Sequence, residues 1–139
     1  MAVVEFNRTK DFIASGVVAL KYEGLRAALM GENFTFKGNI LSFDDVAVHE
    51  VTGLGATGGT LLTSKRVQVN SDNKFEMYVD EGLYWQDVTA TISGILIFRD
   101  GTERTYSNPL LWWLPTATGL RTLVRSDYKV TLQGPLMRW

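Results

Sequence analysis

Residues 87–99 constrain the fold of this chain more than any other segment. From Val88 to Ile92 apolar residues alternate with threonines, so an extended strand here has one apolar and one polar face. From Ile95 to Phe98 every residue is apolar, which indicates a strand that is covered on both faces. The chain is therefore expected to fold around a central β-strand.

Two turn signals give this strand its neighbours. The Asp100-Gly101 pair favours the positive φ values of a tight hairpin, so residues 102–107 are predicted to return antiparallel beside the central strand. Upstream, residues 67–69 and 75–79 alternate on either side of a polar turn and predict a second hairpin. Both features are typical of antiparallel sheets.

The rest of the sequence shows little helical periodicity and many short segments rich in β-branched and aromatic residues. Further strands are predicted at residues 17–20, 25–30, 47–51, 60–65, 110–114, 123–125 and 128–133. Residues 25–30 also contain good helix formers, but Gly24 and Gly31 bracket a stretch too short for a typical helix, so a strand is preferred. One short helix is predicted within residues 7–14.

Together these patterns predict an all-β fold, an antiparallel β-sandwich of which the jelly roll is one form, with at most a short N-terminal helix. The chain has 139 residues and no internal repeat or flexible linker, so a single domain over residues 1–139 is expected. Residues 134–139 are a candidate for an extended interaction tail at its end.

Composition and charge exclude several classes of function. A formal net charge of −1 is atypical of a nucleic-acid-binding protein, and no cysteine is present for a disulfide or thiolate site. The apolar runs are too short for a membrane span, and no basic region precedes an apolar stretch at the N-terminus, so no signal peptide is expected. The excess of acidic residues over residues 1–100 and of basic residues over residues 101–139 suggests attraction between the two parts or to a partner.

The motifs that could carry chemistry are weak. Residues 53–58 match the glycine spacing of a dinucleotide-binding loop, but a strand is expected after them where that motif needs a helix, so a flexible or bulged loop is predicted. His49 is the sole histidine and is expected to lie on a strand surface, half-buried at most. The carboxylates of Asp44, Asp45, Asp80, Glu81 and Asp87 lack the spacing of a calcium loop. No catalytic residue, cofactor or metal site is predicted, and the chain is not expected to be an enzyme.

The tryptophans are the most unusual part of the composition. Neighbouring residues of a strand face opposite ways, so Trp112 and Trp113 cannot both point into one core, and one of them is expected to face another surface. The tail resembles interface hot spots in composition; alternatively, it forms a last strand that folds Trp139 onto its own core. The interface candidates are Trp112, Trp113, Leu136, Met137, Arg138 and Trp139.

The order of these segments resembles a family of small structural proteins of tailed bacteriophages, thought to be virion components. The segments that carry the resemblance are residues 14–20, 25–30, 48–55, 58–61, 78–80, 83–85, 88–91, 94–100 and 109–111. The chain departs from the family at residues 54–56, where such proteins often have an aromatic residue after the glycine, and in its tryptophan-rich end.

The resemblance implies a non-enzymatic protein of the virion, a capsid decoration or cement protein that binds the outer surface of the major capsid protein shell as a homo-oligomer, with a trimer favoured. The family has no catalytic residues to carry over, and the near-neutral charge and short apolar runs of the chain predict neither a nucleic-acid nor a membrane partner. A tail or head-completion component is the alternative within this class. From a different class, a carbohydrate-binding or ligand-binding sandwich could use a cleft lined by Trp85, Tyr106 and Trp112.

Overall fold

The computed structural model describes residues 2–18, 24–52 and 59–139. One short helix, α1, spans Thr9–Ala14. The strands of the described residues are β1 (Val4–Glu5), β2 (Leu25–Gly31), β3 (Thr60–Leu61), β4 (Lys65–Val69), β5 (Phe75–Val79), β6 (Leu83–Arg99), β7 (Thr102–Glu103), β8 (Tyr106–Ser107), β9 (Leu110–Pro115), β10 (Arg121–Val130) and β11 (Met137–Arg138). The predicted all-β fold with a short N-terminal helix is confirmed.

Strand β6 organises the larger sheet. Its second half lies between β2 and β9 in the order β1-β9-β6-β2-β3, and its first half pairs with β10. All pairings are antiparallel. Residues Ile95 to Phe98 are buried, as their uninterrupted apolar sequence predicts.

The larger sheet has an apolar layer on each face. On one face Ile95, Ile97 and Trp112 belong to the main core, which also includes Met77 and Val79 of the smaller sheet β11-β5-β4. The opposite face is covered by a second cluster. Its buried members are Phe6, Ala28, Met30, Phe34, Phe43, Val46, Leu96, Phe98, Leu110 and Trp113. The two sheets therefore form the sandwich, and residues of the loop from 34 to 46 cover its outer side.

The predicted pairing of residues 102–107 with the central strand is wrong. Residues 102–107 form their own small hairpin, β7 with β8, and the strand that returns beside β6 is β9. The Gly101 amide donates to Asn108 Oδ1 (2.7 Å), and the Asn108 amide donates to the Gly101 carbonyl (2.9 Å). These bonds close residues 101–108 into an excursion, so pairing with β6 resumes only after it.

Residues 47–51 do not form the predicted strand. Ala47–His49 is a 3₁₀ turn, and Glu50 makes a single bridge to Met30. Ala47 and Val48 are both exposed, so the alternation of a half-buried strand is absent here.

Other boundaries shift. The segments predicted at 123–125 and 128–133 belong to one strand, β10, which carries irregular register around Ser126 and ends at Val130. Of residues 60–65, only the first two form β3, and β4 starts at the last. Val17 and Val18 are buried without strand pairing, while residues 19–20 lie outside the described residues. The predicted strand at 25–30 and the hairpin of β4 with β5 are confirmed.

Candidate interaction surface

The C-terminal residues form an edge strand. The Leu136 amide donates to the Met77 carbonyl (2.8 Å), and Phe75 and Trp139 exchange both of their backbone hydrogen bonds (2.7 and 2.8 Å). Residues 134–139 are therefore not a free tail. The alternative reading, a last strand folded onto its own core, is the one that the structure shows.

The side chains of this strand divide between core and surface. Leu136 and Met137 are each 3% exposed and belong to the main core. The Trp139 ring is half-buried, lies 6.3 Å from the Phe75 ring and has Lys10 Nζ 5.6 Å from its centroid. Of the four tail residues proposed as interface candidates, two are thus core residues.

Arg138 holds the strand by an ion pair to a buried acid. Its Nε lies 2.7 Å from Glu76 Oε2, and Glu76 is only 2% exposed. Burial raises the pKa of Glu76, but the hydrogen bonds from Arg138 and Gln68 outweigh burial and hold that pKa below its ordinary value. The ionised carboxylate is therefore the form that the folded chain favours.

This ion pair is one end of a polar layer on the outer face of the smaller sheet. We define the polar layer as the hydrogen-bonded and stacked side chains of Arg66, Gln68, Glu76, Tyr78, Asp80 and Arg138. Arg66 Cζ lies 4.3 Å from the centroid of the Tyr78 ring, and Arg66 Nε donates to Asp80 (3.0 Å). That hydrogen bond lowers the pKa of Asp80. The layer joins all three strands through side chains.

The polar layer was missed in the sequence. Arg66 and Gln68 alternate with apolar Val67 and Val69, and Glu76 and Tyr78 alternate with the apolar residues of β5. The polar face of each of these two strands could therefore have been predicted from its own sequence. The contribution of Arg138 could not, because it comes from the far end of the chain.

Trp112 and Trp113 do face opposite sides of β9, but both sides are covered by this chain. Trp112 is fully buried in the main core, and Trp113 is 6% exposed in the second cluster, where its ring lies 4.6 Å from that of Phe34. In the single chain neither ring face is open to solvent. The opposite orientation of the two rings is therefore confirmed, whereas an interface role for either of them stays a prediction.

The cleft considered for a sugar is also absent from the described residues. Trp85 is 5% exposed and Trp112 is buried, so neither presents a ring face for stacking. Tyr106 is half-buried and packs edge-on against Phe12, with 4.9 Å between ring centroids.

Four of the five candidate carboxylates, those of Asp44, Asp80, Glu81 and Asp87, are engaged in contacts within the chain. The Asp44 carboxylate accepts hydrogen bonds from Ser107 Oγ (2.7 Å) and Asn108 Nδ2 (2.8 Å), which lower its pKa. Glu81 accepts from Thr63, and Asp87 lies 3.6 Å from the Arg125 guanidinium. No group of three or more potential metal ligands occurs within the described ranges.

His49 is half-buried, in a 3₁₀ turn instead of the expected strand. It lines two open grooves of about 360 and 510 Å³. The glycine motif at residues 53–58 lies outside the described residues. In the part of the chain that is described, no helix is long and apolar enough to cross a membrane.

The fold and this surface define an antiparallel β-sandwich whose smaller sheet is closed on one side by the last residues of the chain. No family model matches the sequence, and comparison with the curated proteins and with the solved structures found no match.

Proposed function

We propose that this chain is a non-enzymatic structural protein of a tailed-bacteriophage virion, a decoration or cement protein on the outer surface of the capsid shell. It acts as a homo-oligomer, and its partner is the major capsid protein. The sequence resemblance to small virion proteins supports this proposal.

The observation that carries the proposal is the outer edge of β4, which has no strand partner among the described residues. The Asn70 amide donates to the Lys74 carbonyl, and the Asp80 amide donates to the Ser64 carbonyl. Hydrogen-bonded pairs alternate along an antiparallel ladder. The backbone N–H and C=O groups of the even-numbered residues of β4 therefore point toward β5, and those of the odd-numbered residues point outward. Such an edge is a template for a strand of another protein.

Val69 lies on this edge and is 62% exposed. Its replacement by proline removes an outward amide without removing a bond to β5, whereas Val69→Thr keeps the amide and the β-branched shape. The two variants therefore separate edge pairing from side-chain contact.

The test is co-sedimentation of the purified protein with capsid shells that lack it and, separately, with isolated tails. We expect saturable binding to shells, retained by Val69→Thr and lost or strongly weakened in Val69→Pro. Binding to tails alone would favour the tail or head-completion role. Absence of binding to shells and tails would contradict the proposal, and equal binding by both variants would exclude the β4 edge.

A further inference from the structure

The last nine residues form an arm whose contacts lie away from the strand that precedes it. We define the arm as residues 131–139, which follow β10. Its linker, residues 131–135, makes no strand pairing, and Thr131, Gln133 and Gly134 are exposed. A Cβ built at Gly134 has no atom within 4 Å. Leu132 is half-buried against the main core, so the arm is attached to its own body by a short connection that is exposed in part.

The groove that receives the arm is built from distant parts of the chain. We define the arm groove as the outer edge of β5 together with Glu5 and Lys10. Trp139 Nε1 donates to Glu5 (3.3 Å), and Lys10 lies over the indole ring. These contacts depend on the arm reaching the groove and not on which copy of the chain supplies it.

The arm groove is costly to leave empty. Glu76 would lose its guanidinium partner, the Met77 and Phe75 backbone groups would lose their bonds to the arm, and Leu136 and Met137 would leave the main core. Removing buried apolar side chains from a core is destabilising. An arm that leaves its groove therefore has to be replaced by another of the same chemistry.

We propose that the arm is exchanged between copies of this chain, so that the terminal strand of one copy completes the β11-β5-β4 sheet of the next. This inference rests on the homo-oligomer in the proposed function and names the segment that builds it. Exchange reproduces the contacts of residues 136–139 with the arm groove, and only the course of the linker, including the packing of Leu132 against the main core, changes. A head-to-tail exchange closes into a ring when the rotation between copies permits it.

The absence of native cysteine allows a direct test with the double variant Glu76→Cys and Arg138→Cys. These residues are directly opposite each other in the β5-β11 ladder, a geometry compatible with a disulfide. After mild oxidation, an arm on its own body gives a cross-linked monomer, whereas an exchanged arm gives covalent multimers on a non-reducing denaturing gel. We expect multimers, with a multimer-to-monomer ratio that rises with the protein concentration before oxidation.

The matched control is Gln68→Cys with Glu76→Cys, which places the bond between β4 and β5, where the pairing stays within one chain. It should give cross-linked monomer at every concentration. Monomer alone in the Glu76→Cys and Arg138→Cys variant, at the concentrations used for shell binding, would overturn the exchange. Shell binding by wild-type protein would leave the proposed function intact in that case, whereas multimers without shell binding would contradict the function and not the exchange.

A second variant covers the outcome in which the cysteine substitutions prevent folding. Deletion of Gln133 and Gly134, both exposed, shortens the linker, and a shortened hinge disfavours docking of the arm on its own body relative to exchange. We expect a folded protein that elutes as an oligomer at all concentrations, measured by light scattering. A folded monomer would overturn the exchange.

Discussion

Trp112 and Trp113 each fill a different apolar layer, so each is expected to support the fold of the single chain. Truncation of a large buried aromatic side chain typically costs about 3–5 kcal/mol of unfolding free energy. We therefore expect Trp112→Ala and Trp113→Ala both to be strongly destabilised in urea titrations, because both rings are buried. Val124→Ala, at a residue that is 68% exposed, is the control and should change stability by no more than about 0.5 kcal/mol. Wild-type stability of either tryptophan variant would contradict this assignment.

Gly94 is required by close packing between β6 and β9. A Cβ at this position would overlap the Leu114 carbonyl oxygen and would lie 2.6 Å from the Trp113 ring. Forced displacement of packed groups costs about 1–3 kcal/mol, so Gly94→Ala should lower the melting temperature by several degrees. Gly134→Ala is the matched control, since its Cβ would enter open space. Equal melting temperatures for the two variants would show that the strands do not approach as described.

Glu76 should make the stability of the smaller sheet depend on pH. Its pKa in the folded chain lies below its ordinary value of about 4.3, so the stabilisation is fully present above that value. It is lost as the pH falls through the folded-state pKa. The melting temperature of wild type should fall as the pH is lowered, and Glu76→Gln should reduce this fall. The control Glu32→Gln, at an exposed residue, should leave the acid limb of the profile as it is in wild type. An identical acid limb in wild type and Glu76→Gln would contradict the role of the ion pair.

At the scale of elements, β11 belongs to the core as well as to the surface. Removal of residues 136–139 uncovers the β5 edge and discards two apolar side chains whose burial is worth about 1.5–3 kcal/mol each. We expect a clear drop in melting temperature, instead of the unchanged fold that a free interaction tail would give. Replacement of the same residues by glycine and serine controls for chain length and should be equally destabilised. A truncated chain as stable as wild type would show that β11 does not dock as described.

The elements that could be predicted from the sequence are those whose signal is local. Strand β6 has a period-two pattern that becomes uniformly apolar where it enters the middle of the sheet, and the structure covers it there on both faces. The alternation that puts Trp112 and Trp113 on opposite faces was also readable. What covers Trp113 was not, because Phe34 lies in a loop without strand periodicity.

Pairings between distant segments escaped prediction for a related reason. Arg138 and Glu76 are 62 residues apart, and no local pattern in either segment specifies the other. At residues 100–107 the Asp100-Gly101 pair correctly predicted a turn, but not the strand that pairs with β6 after it. An asparagine side chain at position 108 bonds the Gly101 amide, so the turn leads into an excursion and not directly into the neighbouring strand.

At the scale of the whole molecule, the uneven charge of the sequence is used partly within the chain. Basic residues of the last third bond to acidic residues of the first hundred, as Arg138 does to Glu76 and Arg125 to Asp87. These contacts favour the docked position of β10 and β11. Surface pairs such as Arg125 with Asp87 contribute little to stability, so the pair in which Glu76 is buried dominates the effect.

The central claim is that this two-sheet body decorates a phage capsid, and a cryo-electron microscopy reconstruction of the virion tests it most directly. We expect density for the sandwich on the outer surface of the shell, repeated with the symmetry of the major capsid protein, and arm density that enters the smaller sheet of a neighbouring copy. Density for this body only in the tail or at the portal vertex, or virions that lack the protein altogether, would contradict the account.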